Sequence, residues 1–387
     1  MSSRRVLFAC ACLGLLTFGI VLTTLGSVLP SIMERFGIDK AQAGSLFLLM
    51  TLGILAGSLV FGPLVDRYGY KGILLAATAL VAISLEGIAF APSMTGLRLA
   101  VVAIGFGGGV INGANNALVA DISSGERAAN LNLLGVSFGV GAMGVPFALS
   151  VLTNRYSQAS LVAGVGVLVL VVVACIALPA FPAPKQPQGF PIADAGRLVR
   201  DRVILLIALM LFLESGIEIT VGGWTSTFVT EELDVPPRHA LMILSLYWTG
   251  MMLARLALGY ILRRTSPFRA LYVCVVSALA GSALLLTTTS VSVAAAGVFA
   301  LGVGFAAMFP TLLSFIGDRY STLSGTAFSL VIAIALCGGM LLPYTAGVLG
   351  MQYGMRGSFV IVPAALLILA GLLGVLSRRL RQPSLNQ

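Results

Sequence analysis

Long apolar segments alternate with short polar or charged breaks along the whole chain, at a spacing that predicts helices able to cross a bilayer. A hydrocarbon layer of about 30 Å needs roughly 20 apolar residues in helical conformation. Segments that satisfy this lie at about 6–33, 43–65, 72–91, 97–120, 129–153, 158–181, 203–229, 240–262, 270–288, 291–316, 323–349 and 357–377. The expected fold is therefore an all-α membrane protein with twelve transmembrane helices. The opening MSSRR resembles the charged start of a secretory signal, but the first apolar run is about twice the usual length of a signal core and lacks a small-residue cleavage site. It is expected to remain as the first span.

The longest break, 182–202, holds four prolines and falls between spans six and seven. This divides the chain into residues 1–181, a linker at 182–202, and residues 203–387. Sliding the second part on the first at an offset of 197 aligns Gly26 with Gly223, Gly53 with Gly250, Gly62 with Gly259, Gly105 with Gly302, Asp121 with Asp318 and Pro146 with Pro343. One gap-free offset over about 120 residues points to duplication of a six-helix unit, with a site between two six-helix halves.

Composition agrees with the hydropathy pattern. Hydrophobic residues make up 58% of the 387 and charged residues 10%, with a mean hydropathy of +1.03, which excludes an ordinary soluble domain. The 45 glycines suit close helix contacts in lipid. The net charge of +9 is explained by topology rather than by nucleic acid. Basic residues concentrate on one side of the predicted spans, at Arg4, Arg5, Arg67, Lys71, Arg127, the linker and the run Arg378 to Arg381. The opposite side holds Arg35, Lys40, Arg98, Arg155, Arg238 and Arg356. The bias predicts both termini in the cytoplasm of a cell whose cytoplasmic (inner) membrane carries the protein. The five cysteines lie in apolar runs without metal-ligand spacing, so neither a disulfide framework nor a metal site is expected. His239 shares a loop with Glu231, Glu232 and Asp234, read as a solvated cluster.

Candidate chemistry centres on span seven. In the run from Val203 to Val229 the only charges are Glu214 and Glu218. Glu214 falls roughly 18 Å from the start of the span, near the bilayer midplane, and residues four apart share a helix face. Acids at that depth face protein or a water-filled cavity. The alternative is a protonated pair that only packs between helices. Arg255, about 10 Å inside span eight, needs an anion or must snorkel to the surface; pairing with Glu214 in one conformation is the first reading. Glu86 in span three is a further coupling candidate. In span four Asn112, Asn115 and Asn116 offer amide donors and acceptors suited to hydroxyls, and Trp224 can cover an apolar sugar face. Interhelical bonding is the alternative for the amides, and an interfacial belt for Trp224, Tyr247 and Trp248. No phosphate-loop, dinucleotide or ATPase pattern occurs in its required context, so the chain is not expected to be an enzyme or a pump that acts alone.

The loop between spans two and three, Gly62-Pro-Leu-Val-Asp66-Arg67-Tyr-Gly69-Tyr-Lys71, resembles the signature loop of the major facilitator superfamily, with Tyr70 in place of a usual basic residue. The resemblance implies the major facilitator fold and a gating role for Gly62, Asp66, Arg67, Gly69 and Lys71. Gly62 would permit a close helix contact and Asp66 would pair across a cytoplasmic seam. Gly216-Ile-Glu218-Ile-Thr-Val-Gly222-Gly-Trp224, with Tyr247, Trp248, Gly250 and Arg255, is similar to the fucose–galactose–glucose:proton symporters and to sodium–glucose transporters of animals. Asn112 stands where the fucose permease has a membrane-embedded glutamate, so any coupling must rest on Glu214, Glu218 or Glu86.

These likenesses imply a monosaccharide or similar polyol as the small-molecule substrate, binding at Asn112, Asn115, Asn116, Trp224, Glu214, Glu218 and Tyr247. Coupling falls to Glu214, Glu218, Arg255 and Glu86. No cofactor is implied, a co-transported proton is the expected co-ion with sodium the alternative, and a monomer in the lipid bilayer is the family expectation. Import by alternating access is the first reading. A multidrug or metabolite exporter is the second, favoured by Phe138, Phe305 and Phe309 as cavity residues, and a sensor or lipid-handling protein is the third.

Overall fold

In the computed structural model, residues 4–123, 127–182, 201–261, 264–319 and 324–381 are described. The linker at 183–200 lies outside them. Among the described residues twelve helical segments are long and apolar enough to cross a membrane, and no strand occurs.

The helices are α1 (Arg4–Phe36), α2 (Lys40–Tyr68), α3 (Tyr70–Phe90), α4 (Met94–Ile122), α5 (Arg127–Leu152), α6 (Gln158–Ala177), α7 (Arg202–Leu233), α8 (Pro237–Ile261), α9 (Pro267–Thr287), α10 (Val291–Phe305), α11 (Met308–Arg319), α12 (Ser324–Ser358) and α13 (Ile361–Arg381). Their boundaries follow local chemistry. Asp39 accepts from the Gln42 amide at 2.7 Å while Gln42 reaches back to the Asp39 amide, a reciprocal cap that starts α2. Gly69, at φ 78°, ends α2 and starts α3 within one residue, a backbone conformation that a side chain would strain. Ser93, Ser157, Asp201 and Ser266 cap α4, α6, α7 and α9.

Two predicted spans differ in detail. The tenth is broken at Ala306 and Ala307 into α10 and α11. The eleventh continues past residue 349 to Ser358, and α13 then begins at Ile361. Gly354, at φ 72°, kinks the end of α12, a turn of the backbone that hydropathy does not register.

Packing follows a repeated scheme. In the first six helices α1 packs on α5 and α4, α2 on α4, and α3 on α4 and α6; in the later ones α7 packs on α12, α8 on α10, and α9 on α10 and α13. A Cβ added at Gly53 would meet the Val102 carbonyl, and one at Gly250 would meet the Phe299 carbonyl at 2.5 Å. Likewise Gly105 lies on the Met50 carbonyl and Gly302 on that of Tyr247. Each contacted residue is separated from its counterpart by 197 positions, the offset visible in the sequence. Backbone approaches this close explain why glycine recurs at those positions. The two sets of helices meet through α1–α7, α2–α12 and α5–α8.

Candidate functional site

With twelve crossings, Arg4 and Arg381 fall at the same end of the bundle, here the near end; the α1–α2 and α7–α8 turns mark the far end. The far end is shut. Gly26 of α1 lies against α7 so closely that a Cβ there would be 2.7 Å from the Gly222 carbonyl oxygen and 2.8 Å from the Gly223 Cα. Ser226 donates to the Gly26 carbonyl at 2.9 Å. Lys40 pairs with Glu231 at 2.7 Å and donates to the Gly350 carbonyl at 3.3 Å. Trp224, fully buried, donates from Nε1 to the Pro343 carbonyl at 3.0 Å and packs on Phe47 at 5.8 Å. Trp224 thus sits in the far-end seal, apart from the span-four asparagines with which the sequence reading grouped it. Two of the three acids near His239 are also accounted for: Glu231 holds Lys40, and Glu232 holds Arg356.

At mid-depth α7, α8, α5 and the α10–α11 break converge. Glu214 is fully buried, and neither carboxyl oxygen makes a hydrogen bond of ordinary geometry with any described residue. Glu218, one turn on, is its main electrostatic partner, and both acids also interact with Arg255 and Tyr247. Tyr247 is fully buried with its hydroxyl unpartnered among the described residues, and so is the Trp248 Nε1. Burial of both rings rules out the interfacial belt for this pair. The rings meet edge to face at 4.9 Å, and Trp248 and Phe18 flank Phe138 at 6.1 and 5.6 Å. Phe305 closes the group against Tyr247 at 6.2 Å; fully buried, it lines no cavity in this conformation.

Arg255 does not form the expected pair with Glu214 here. Among the described residues no carboxylate lies within 4.0 Å of its guanidinium. It donates instead to the Ala306 carbonyl at 3.3 Å, an oxygen to which Pro310, four residues on, has no N–H to offer, and lies over the Phe138 ring at 5.9 Å. The side chain turns inward to neighbouring helices rather than snorkelling out.

The remaining candidates divide. Asn116, exposed, donates to the Asn112 side chain at 3.0 Å and to its carbonyl at 2.8 Å, so these two amides share a face. Asn115 is on another face, fully buried against Gly14 of α1, its Nδ2 bonded to the Ile111 carbonyl and its Oδ1 without a partner among the described residues. Glu86 packs on Gly166 of α6, and is not brought to the Glu214 cluster. In the signature loop, Arg67 is exposed over the Tyr68 ring, and the Asp66 side chain lies outside the described residues. A side chain at Gly62 would meet nothing within 4 Å among the described residues, so none of them makes the close helix contact expected there. Tyr70 was noted only as a departure from the motif. Buried, it donates to Asp121 at 2.6 Å, which ties α3 to the end of α4; the repeated aspartate at that offset was the available signal.

Comparison with known proteins bears on the whole chain. The model of the Major Facilitator Superfamily matches residues 11–327. A sodium-dependent glucose transporter 1A of Mus musculus is 23% identical, over 87% of this chain and 88% of that protein. A gentisate transporter of Corynebacterium glutamicum is 24% identical, over 93% and 84%. The crystal structure of a D-xylose-proton symporter superposes with a TM-score of 0.81 at 15% identity, covering 96% of this chain and 97% of that one, which establishes likeness of fold. Twelve apolar helices, no strands among the described residues, and a family match over most of the length agree: the chain belongs to the major facilitator superfamily and is a multi-pass membrane transporter, not an enzyme.

Proposed function

We propose that the protein is a proton-coupled importer of a small hydroxylated solute of the monosaccharide or polyol class, working by alternating access between two six-helix halves. The observation that carries this reading is the Glu214 carboxyl, fully buried at mid-depth, with no hydrogen bond of ordinary geometry among the described residues and with Glu218 as the acid beside it, interacting also with Tyr247 and Arg255. A charge left there is costly, so a proton on the pair favours the rearrangement of a loaded carrier, while an ionised empty carrier is held back. Asn112 and Asn116 supply donors and acceptors for hydroxyls from one face of α4. In a second conformation Arg255 pairs with Glu214. The recurring contacts at the 197-residue offset support the two halves, with residues 183–200 as the connection. The basic-residue bias places the near end in the cytoplasm, and with the far end sealed the conformation described is inward-facing.

The two relatives carry different solutes by name, glucose and gentisate, so the class rests on the amides. A second reading, export of an aromatic or hydrophobic solute, is favoured by the ring cluster of Phe18, Phe138, Tyr247 and Trp248. The test is uptake into proteoliposomes under an imposed inward proton gradient, with an equal sodium gradient as the control. Uphill accumulation that fails in Glu214→Gln and Glu218→Gln, while exchange at equal concentrations survives, supports proton coupling. Uphill accumulation retained in the double variant, or driven only by sodium, refutes it. Efflux of dyes from energised vesicles, without sugar uptake, selects the exporter.

A further inference from the structure

We infer that Glu232 and Arg356 are positioning residues that fasten the far ends of α7, α9 and α12 into one rigid unit, and that they take over two duties which Arg35 and Ser157 perform separately in the first six helices. The first duty is to close the end of an outer helix. The last carbonyls of a helix have no partner within it. At the end of α3, Arg35 of α1 donates from Nη1 to the Ala89 carbonyl at 2.8 Å and from Nη2 to that of Ala91 at 2.7 Å. The counterparts of these two residues, 197 positions on, are Leu286 and Thr288 at the end of α9. Their carbonyls are also closed by one guanidinium, at 2.6 and 3.0 Å, but it belongs to Arg356. The position equivalent to Arg35 is Glu232. A carboxylate cannot donate to a carbonyl; instead it holds the Arg356 Nε at 3.4 Å.

The second duty is to start the following helix. Ser157 caps α6 by accepting from the Ser160 amide at 3.1 Å. Its counterpart at the same offset is Gly354, which has no side chain to cap with and bends the chain at φ 72°. Helix resumes beyond it, and the Arg356 amide donates to Glu232 Oε1 at 3.0 Å, so the acid caps this restart from outside. One carboxylate oxygen of Glu232 therefore starts a helix while the other orients the guanidinium that ends α9. Backbone packing does not make the same link. α3 packs on α4 and α6, and α9 on α10 and α13, so each outer helix is tied by its arginine to the helix that forms the far-end seal, α1 or α7. In the first half the two duties are independent, whereas in the second both run through Glu232. The adjacent Glu231 pairs with Lys40 of the other half, so displacement of the α7 end when the seal opens passes through Glu232 to α9 and α12.

The experiment is amide hydrogen exchange of the purified full chain, read at the last turn of α3, the first turn of α6, the last turn of α9 and the turn after Gly354. Arg35→Ala should speed exchange about tenfold at the end of α3 and leave the start of α6 unchanged, and Ser157→Ala should do the reverse. Glu232→Ala should speed exchange at both second-half sites together. Arg356→Ala should act on the end of α9, and combining it with Glu232→Arg, which puts a guanidinium at the position equivalent to Arg35, should restore protection there. Electron–electron resonance between labels at Ala283→Cys and Met351→Cys, both exposed, with the native cysteines replaced by serine, reads the rigid unit. The distribution should broaden in Arg356→Ala and stay broad in the double variant, whose arginine ties α9 to α7 alone. A folded Glu232→Ala protein disturbed at only one second-half site overturns the inference, as does a double variant no better protected than Arg356→Ala or an unchanged distance in Arg356→Ala. Should Glu232→Ala not fold, Glu232→Gln carries the test: it keeps a neutral acceptor for the Arg356 amide, so exchange should rise more at the end of α9 than after Gly354, and parent-like protection at both sites overturns the inference.

Discussion

Replacing Gly26 by alanine should unlock the far end. The added Cβ would lie 2.7 Å from the Gly222 carbonyl oxygen and 2.8 Å from the Gly223 Cα. Both are backbone atoms of the facing helix, so no rotamer change relieves the contact, and α1 and α7 must part. Overpacking of this kind costs about 1–3 kcal/mol, which corresponds to about a 5- to 150-fold shift at 1.4 kcal/mol per factor of ten. The cost falls only on the sealed conformation, because the clash disappears once the halves separate at that end. The Lys40–Glu231 pair is the natural rival as the latch. Its side chains are 19% and 36% exposed, and ion pairs with that much solvent contribute about 0.2–1 kcal/mol, or roughly 1.4- to 5-fold. The glycine contact therefore outweighs the ion pair. The assay is double electron–electron resonance between labels at Glu34→Cys and Tyr353→Cys, both exposed at the far end, with the native cysteines replaced by serine. Gly26→Ala should add a longer-distance population while the melting temperature stays near that of the parent. An unchanged distance distribution in a folded Gly26→Ala protein would refute the claim that this backbone contact sets the seal.

Three further outcomes follow from the same geometry. Lys40→Gln or Glu231→Gln should lengthen the same distance distribution only slightly, and high salt should reproduce that effect in the parent but add nothing to the variants. Tyr70→Phe removes the donation to Asp121 and should cost about 1.5–3 kcal/mol as a bond to a charged group, read as a lower melting temperature; an unchanged melting temperature would mean the pair contributes nothing. Trp224→Phe keeps ring packing on Phe47 but leaves the Pro343 carbonyl without its donor, at about 1 kcal/mol, so it should shift the far end toward opening by less than Gly26→Ala does, in the same resonance measurement.

The sequence by itself determined what is local. The twelve apolar segments follow from length and hydropathy, since a backbone in lipid must satisfy its own hydrogen bonds within each helix. Asn112 and Asn116 share a face because they are four residues apart, and Glu214 was marked by its rarity within a span. Tertiary structure decided what depends on which helices become neighbours. Trp224 looked like a ligand-covering ring but fills the seal, because α7 meets α2 and α12 at that level. Glu86 stood beside Glu214 as a coupling candidate, yet it faces α6. Asn115, one residue from Asn116, points instead to Gly14, since a step of one along a helix turns the side chain by about 100°. Arg255 came with two readings, a partner acid or the membrane surface, and took neither: Pro310 has no N–H to offer the Ala306 carbonyl, and α5 placed Phe138 beneath the guanidinium. Hydropathy measures how each segment meets lipid. It carries no record of which face meets which helix, and that is where the donors, acids and rings of this transporter acquire their partners.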